Sequence, residues 1–435
     1  MKKKAIVLAV GALCAAPAAH AQIVFGNDTI GTVQFYGKLY PQVIWAKSSG
    51  ATQPGDSVST LVSTTGTLTG AAVPDPGRRL AVDSQNSYLG FRGERKLGNS
   101  GLKGIWQIEQ SIELDTGTAS LNTDNTGTPV SSPTFSNRNS FVGLTGGFGT
   151  VKLGNMDTIY KEYGQVESMF GLTSGNFVSP SNILSHIGVG SSSTARFHER
   201  APNSIQYTSP TIAGVQAGLQ YSPDETRNDP GNTLNKELWS MGVKWESGPL
   251  YLSAQHERHK DRFGGSSNIG VAALRNGTGS GGTFIPAAGA HSMDTAWRAS
   301  AAYEFGGHRI GADVARLKYD ETGQAAGTRF KSYQHTTGAV SLESKWGGPW
   351  RTAILYVVGT EGKCEIIGLA CSTDGLKGQM FAGGVAYDLD SQTFLYLFAA
   401  RLVNGKSSRY DNWAGSDPAR GGDIDQIALG MQYRF

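Results

Sequence analysis

Apolar and polar residues alternate with a period of two along most of this chain. The last segment shows it most clearly. Asp425, Ile427, Leu429, Met431, Tyr433 and Phe435 fall on one face, and all but Asp425 are apolar. Ile424, Gln426, Ala428, Gly430, Gln432 and Arg434 fall on the other, which is small or polar apart from Ile424. Successive strand side chains point to opposite sides, so such a segment faces two different solvents. Near the start, Val33, Phe35, Leu39, Val43 and Trp45 alternate with Gln34, Tyr36, Lys38, Tyr40 and Gln42. Further on, Trp106, Ile108, Ile112 and Leu114 alternate with Gln107, Glu109, Ser111 and Glu113. An apolar strand ending on Phe435 fits a closed transmembrane β-barrel, whose last strand faces lipid and pairs with the first.

The alternation predicts sixteen strands: residues 30–46, 86–97, 102–115, 138–145, 150–156, 201–209, 215–222, 236–246, 250–259, 294–305, 309–319, 333–346, 350–360, 376–387, 394–403 and 424–435. Seven Gly-, Pro-, Asn- or Asp-bearing tight turns join them in pairs, at 98–101, 146–149, 210–214, 247–249, 306–307, 347–349 and 388–391. Long connections separate the pairs. Short turns suit hairpins, and their strict alternation with long loops is the rhythm of an outer-membrane barrel. The fold class expected is all-β, a sixteen-stranded antiparallel barrel with short periplasmic turns and long external loops. A secreted sandwich, solenoid or propeller would bury its apolar face in a core, and no fixed-period repeat is present.

The N-terminus fits that setting. Met1-Lys2-Lys3-Lys4 is a positive leader segment, 5–16 is apolar, and Ala19-His20-Ala21 fits a cleavage site before Gln22. Two regions are expected: a cleaved signal peptide, 1–21, and one barrel, 22–435. Hydrophobic content is 39%, Gly numbers 59, and Trp plus Tyr number 24, as suits a thin-walled barrel with interfacial aromatic girdles. No later apolar run approaches the ~20 residues of a membrane helix. Removing the leader leaves 35 basic and 35 acidic residues, a balance that argues against a nucleic-acid surface.

Two cysteines remain after the leader, Cys364 and Cys371, seven apart in a loop. In an oxidising compartment they would close a disulfide; a metal site would need two more ligands. His256 and His259 fall on opposite faces of one strand and cannot share a metal there. The glycine-rich stretch 143–149 lacks the Lys-Ser/Thr of a phosphate loop and reads as a hairpin turn. No G-x-S-x-G motif occurs. No enzyme activity and no cofactor are expected.

Several stretches together carry a resemblance: Phe35-Tyr-Gly37, Ser87-Tyr-Leu-Gly-Phe-Arg-Gly-Glu94, Leu102-Lys-Gly-Ile-Trp-Gln-Ile-Glu109, the run 138–154, Asn203-Ser-Ile-Gln-Tyr-Thr-Ser-Pro210 and Met431-Gln-Tyr-Arg-Phe435. The whole chain resembles the general diffusion porins of Gram-negative outer membranes, particularly the trimeric sixteen-stranded β-proteobacterial type. The resemblance implies a homotrimer, and a third loop, 157–200, folded into the barrel with Glu162 and Glu167 around Lys161. It implies a wall cation at Arg138, a lumen acid at Glu109, and more loosely a basic position at Arg200. It also implies that Phe435 is the signal read by the outer-membrane assembly machinery. The chain departs from the family pattern at Tyr88, where a wall Arg is common, at Asn155, and at Lys38 and Tyr40 after the first-strand Tyr-Gly.

The alternation alone places Lys38, Arg92, Lys103, Gln107, Glu109 and Glu113 opposite their strands' apolar faces, as lumen groups. Tyr36, Tyr40 and Tyr88 read either as an aromatic slide for a sugar or aromatic acid, or as amphipathic wall filler. The expected function is a water-filled channel for passive diffusion of ions and small hydrophilic solutes across the outer-membrane lipid. The alternatives are a channel selective for small organic acids or sugars, or a surface adhesin using the long loop 47–82.

Overall fold

The computed structural model describes residues 23–435 apart from 28–30, 61–62, 69–70, 73–74, 76, 85, 113, 115–137, 189–195, 228–233, 263–289, 324–328, 369 and 413–417. The predicted leader and Glu113 lie outside the described residues. The rest is almost entirely antiparallel sheet. In chain order the strands are β1 (Ile23–Asn27), β2 (Gly31–Leu39), β3 (Pro41–Ser49), β4 (Ser57–Thr60), β5 (Ser63–Thr67), β6 (Arg79–Ser84), β7 (Tyr88–Lys96), β8 (Lys103–Ser111), β9 (Ser140–Gly146), β10 (Gly149–Asp157) and β11 (Arg200–Thr208). Then come β12 (Val215–Ser222), β13 (Glu237–Ser247), β14 (Leu250–Lys260), β15 (His291–Phe305), β16 (His308–Thr322), β17 (Arg329–Lys345), β18 (Trp350–Gly359), β19 (Lys363–Ile367), β20 (Gly378–Asp388), β21 (Thr393–Asn404) and β22 (Asp423–Arg434).

These strands build a closed barrel of sixteen staves. Three staves are interrupted. β2 and β3 are halves of the first, broken at Tyr40; β6 and β7 form the second; β19 continues β18 along β17. β4 and β5 pair only with each other, inside the first long loop. The segment 47–82, read as one loop, therefore yields residues at both ends to the barrel and a hairpin in its middle. β1 was missed. It folds back on β2, from Ile23↔Phe35 to Asn27↔Gly31. This covers the part of β2 that lies beyond the end of β22.

Closure is made by the two terminal staves. β22 pairs with β3 from Asp423↔Ser49 to Gly430↔Gln42, and reaches β2 at Lys38↔Arg434. Gly37 and Phe435 then exchange both backbone bonds, N–H to O at 2.9 and 3.1 Å. The Phe435 ring lies over Gly37, 5.4 Å from Phe35 and 5.7 Å from Tyr433. A barrel in lipid has no water to satisfy an open edge, so this seam completes the hydrogen bonding of the wall.

The faces follow the alternation. On β22, Ile427, Leu429, Met431 and Tyr433 are exposed on the outside, whereas Ile424, Gln426, Ala428 and Gln432 are buried on the inside. Near the short turns, exposed aromatics form a girdle: Phe148, Tyr303, Phe305, Trp346, Trp350, Tyr387 and Tyr433. Trp350 and Tyr387 touch at 4.9 Å across neighbouring strands. These amphipathic rings sit at the level of the headgroups.

The interior departs from a simple polar lumen. On β18, β20 and β21 both faces are apolar. Leu355, Val357, Met380, Phe394, Tyr396, Phe398 and Leu402 are buried inside. They pack against Phe170, Phe177, Ile183 and Leu184 of the segment between β10 and β11, with Phe170 stacked on Phe398 at 5.6 Å. That segment, which carries the short helices α1 (Ile159–Tyr163) and α2 (Ser181–Leu184), therefore lies inside the barrel, as expected. A second inward element follows β21. Tyr410, 1% exposed, lodges against the backbone of Gly359 and Gly378 and beside Gly188. A Cβ on Gly359 would stand 2.6 Å from the Tyr410 hydroxyl. Arg409 N–H donates to Gly188 O at 2.7 Å, and Asn412 Nδ2 donates to Phe177 O at 2.9 Å.

Cys364 and Cys371 are joined by a disulfide, with Cα atoms 5.9 Å apart. It ties β19 to the loop beyond it and packs against the Tyr319–Tyr333 cluster.

The seam generates a prediction. A Cβ on Gly37 would lie 2.6 Å from the Phe435 ring and 2.9 Å from Tyr88 O. Gly37→Val should cost about 1–3 kcal/mol of barrel stability by overpacking. The check is the temperature at which the folded barrel loses its compact gel migration. Gly347→Ala is a turn control with open space around it, though its positive φ of 80° adds some strain of its own. It should move that temperature less.

Candidate functional site

The site begins with three neighbouring strands whose inward side chains line up in register. Gln34, Arg92 and Gln107 form one row, Tyr36, Gly90 and Glu109 the next, and Lys38, Tyr88 and Ser111 the third. Gly90 makes the middle row work. A Cβ there would lie 2.6 Å from Tyr36 Cζ, so only glycine lets the Tyr36 ring lie flat across β7. The Tyr36 hydroxyl then reaches Glu109 and donates to Oε2 at 3.1 Å. Arg138, just before β9, donates from Nε to Glu109 Oε1 at 2.5 Å.

Cations sit on the tyrosine faces. The Arg92 guanidinium lies 4.8 Å from the Tyr36 ring centre, and that of Arg138 lies 4.7 Å from Tyr88. Lys38 Nζ stands 5.3 Å from Tyr88 and 5.5 Å from Tyr40. Each such contact is worth about 0.5–2 kcal/mol, and more as water is excluded. The rings thus hold the cations against the wall; Arg92 is exposed, Arg138 half-buried and Lys38 buried. Arg92 is also fixed by its Nε bond to Gln34 Oε1 at 2.6 Å.

Beside this stripe the inward loop is knotted at its base. Asp157 accepts from Asn139 Nδ2 at 3.1 Å and lies 2.9 Å from Lys161 Nζ and 3.2 Å from Arg200 Nη2. Arg200 Nε donates to Asn139 Oδ1 at 2.8 Å. Both ends of the loop therefore meet at one carboxylate. Beyond it, the staves from β12 to β17 each supply the loop with a hydrogen bond. Gln220 accepts from Ile159 N–H at 3.2 Å and Ser240 from Tyr160 N–H at 2.8 Å. Tyr251 and Ser253 both donate to Tyr163 O, at 2.5 and 2.9 Å. Glu343 accepts from Phe170 N–H at 3.0 Å, and Thr337 donates to Leu184 O at 2.7 Å. An irregular backbone inside a barrel has to find such partners, since neither helix nor sheet supplies them.

A model of the Gram-negative porin family matches residues 5–435. The chain belongs to the Gram-negative porin family. Like others of that family, this porin is an outer-membrane protein. It is 32% identical to the major outer membrane protein P.IB of Neisseria gonorrhoeae over 178 residues, 41% of this chain and 42% of that one. To P.IB of Neisseria lactamica it is 33% identical over 165 residues, 38% and 40% of the two chains. The porin thus spans less than half the length of these curated relatives. Among solved structures, an anion-selective porin from Comamonas acidovorans superposes with a TM-score of 0.64 at 19% identity, over 93% of this chain and 99% of that one. OmpT of Vibrio cholerae superposes with a TM-score of 0.59 at 16% identity, over 95% and 100%. Both likenesses concern the fold.

The sequence singled out nine constriction residues in this porin. Lys38, Tyr40, Tyr88, Arg92, Glu109 and Arg138 come together on β2, β7, β8 and the start of β9. Tyr40 differs from expectation in being fully buried, packed 4.9 Å from Tyr396 beneath Lys38. Arg200 joins the knot at the loop base. Glu162 is exposed on α1, on the side away from the wall. Glu167 is a correction. It is fully buried between loop and wall, 3.5 Å from Arg298, which binds Asp313 more closely. A carboxyl with no exposed surface cannot line a lumen; it anchors the loop. Asp157, Arg298 and Asp313 were missed. Arg298 and Asp313 do lie opposite the apolar positions of β15 and β16, which was the signal available. His256 and His259 sit on opposite faces of β14, as the spacing required.

Burial, and then the neighbouring Asp313, push the Glu167 carboxyl well above the usual carboxylate range, against the pull of Arg298. Arg298 is bonded to Asp313, which leaves Glu167 the more weakly paired carboxyl. An acid raised in the folded state stabilises it below its ordinary value, and that stabilisation is lost as pH rises through the raised one. Loop anchoring should therefore loosen toward alkaline pH. Open-channel current noise should rise on that side, and Glu167→Gln should flatten the dependence. Noise that is flat in the wild type, or still rising in Glu167→Gln, contradicts this.

Proposed function

We propose that this chain forms a water-filled channel for the passive diffusion of small hydrophilic solutes, with a preference for anions, and that it acts as a homotrimer. The observation that carries the reading is the division of the inner wall. Staves β12 to β17 direct inward polar groups to the inward loop, and β18, β20 and β21 offer it an apolar face. The open side of the lumen is left to β2, β7, β8 and β9. There and at the base of the inward loop, Arg92, Arg138, Lys161 and Arg200, with the buried Lys38, outnumber Glu109, Asp157 and the exposed Glu162. Charges set this close to a narrow aqueous path dominate its local field. Transport needs no cofactor or energy coupling, because the solute gradient drives it.

Planar-bilayer recording of the purified protein should show stepwise conductance, and a folded oligomer without it would end the proposal. In a salt gradient, Arg92→Ala and Arg138→Ala should each lower the anion-to-cation permeability ratio by about two- to fourfold, a unit charge at ~5 Å acting in water. An unchanged reversal potential in both variants would refute the anion preference.

A second reading is favoured by the guanidinium–tyrosine stacks. Planar groups already pair there, and a bound aromatic carboxylate would meet a guanidinium plane and a positive charge together. In that case benzoate should block the ion current at lower concentration than acetate, and Tyr88→Leu should remove the difference.

We further assign Phe435 as the signal for barrel assembly. The support is its place at the closing seam, where its backbone pairs with Gly37 and its ring lies 5.4 Å from Phe35. Deleting Phe435 should reduce the amount of inserted barrel several-fold and leave the conductance of those that form unchanged. Equal insertion would count against the assignment.

A further inference from the structure

The Cys364–Cys371 disulfide lies at the long-loop mouth of the barrel. β19, which carries Cys364, pairs with the first residues of β17, from Arg329↔Ile367 to Gln334↔Lys363, at the end remote from the short turn 347–349. Both cysteines are half-buried and Ala370 beside them is exposed, so a small reagent in the mouth can reach the bond. The wall does not need it. β18 and β20 pair directly with each other, from Trp350↔Tyr387 to Gly359↔Gly378, and close the sheet without it.

The disulfide instead holds the return segment 371–377. Cys364 and Cys371 pack against the Tyr319–Tyr333 cluster, to which Leu376 also belongs. Leu376 is fully buried there with Ile187 and Phe197 of the inward loop. Its carbonyl lies against Gly188, where a Cβ would stand 2.2 Å from the oxygen. The same segment reaches two other external loops. Ser372 Oγ is 2.7 Å from Ser59 Oγ of β4, Ser407 Oγ donates to Asp374 O at 2.7 Å, and Lys406 Nζ lies 2.6 Å from Asp374. Its remaining ties to the end of β18 are polar. Thr373 Oγ1 donates to Gly362 O at 3.0 Å, and Gly375 N–H donates to Glu361 Oε1 at 3.1 Å. Hydrogen bonds at a solvent-facing mouth open and close locally, whereas a covalent bond does not.

We propose that this disulfide is a redox latch on the inward loop, opened by exchange with a small thiol. A thiolate attacks Sγ of Cys371. The new S–Sγ bond forms, the Cys364–Cys371 bond breaks, and Cys364 leaves as a thiolate that takes up a proton. A second thiolate attacks the reagent's sulfur in the mixed disulfide and releases Cys371 as a thiolate, which is protonated in turn. Two thiols are thereby oxidised to one disulfide, and the protein disulfide is reduced to two thiols. With the ring open, Leu376 loses its hold on Ile187, Gly188 and Phe197, and the later half of the inward loop fluctuates more. The effect on flux rests on the channel reading above; the effect on the loop does not.

The test uses wild-type protein already folded, so that refolding does not enter. 2-Mercaptoethanol is added at neutral pH, and alkylation followed by mass measurement verifies two free thiols. In inserted channels, open-channel current noise should rise about twofold, and in detergent, amide exchange at Phe197 and Arg409 should quicken about tenfold. Their N–H groups donate to Ser185 O and Gly188 O. The double variant Cys364→Ser/Cys371→Ser should be noisy from the start and indifferent to the thiol. Protein verified as reduced but unchanged in noise and exchange would overturn the proposal. Faster exchange confined to 363–377 would overturn it in favour of a local loop staple. Oxidised protein that shows no stepwise conductance would tell against the channel reading instead, and exchange at Phe197 would still decide the latch.

Discussion

Everything in this molecule depends on the pairing of its last stave with its first. A sheet in a bilayer has no solvent for an unpaired edge, and each orphaned backbone group there costs several kcal/mol. The backbone exchange between Gly37 and Phe435 and the ladder from Ser49 to Gln42 remove that edge. Once the wall is closed, alternation fixes every side chain as lipid-facing or lumen-facing, and a register slip by one residue would invert both sets. The break at Tyr40 preserves this parity. Leu39 and Val43 still point outward, and Lys38 and Gln42 inward.

The same demand for hydrogen-bond partners shapes the inside. The inward loop has only short helices, so its amides and carbonyls must be met by the wall. Gln220, Ser240, Tyr251, Ser253, Thr337 and Glu343 meet them one after another around the barrel. Position in the sheet thus decides what a polar wall residue does. On staves beneath the loop it holds the loop; on the staves opposite, polar groups bond to one another along the wall, as Tyr36, Glu109 and Arg138 do. The cation–tyrosine stripe belongs to the second group, its members held by one another across β2, β7 and β8.

Much of this was legible in the sequence, because period-two alternation and tight turns are local signals. The sixteen staves, the closing pair and six members of the cationic–aromatic stripe follow from them and from the family resemblance. What was not legible depends on pairing across distance. Glu167 and Glu162 are five residues apart in one loop, and nothing local separates a carboxyl that meets Arg298 from one that meets water. Phe394, Tyr396 and Phe398 lie inside a barrel because Phe170 and Phe177 arrive to cover them. Tyr40 reads as a lumen group by parity, yet Tyr396 and Phe394 from the far end of the chain enclose it. The N-terminal hairpin of β1 escaped notice because Ile23–Asn27 is too short to show a period.

The Tyr410 ring, seated among Gly188, Gly359 and Gly378, has a consequence for how this surface can change. External loops of a barrel are ordinarily the part of the chain that tolerates insertion and drift, since they hang free of the wall. The loop after β21 does not. Its ring fills a socket with no spare volume, and its backbone holds the same inward loop that narrows the lumen. Sequence change at Arg409, Tyr410 or Asn412 therefore acts on the inward loop as well. A lineage altering its exposed epitopes there would alter its diet as well, and an engineer seeking a site for a grafted peptide should look to the other mouths of the barrel.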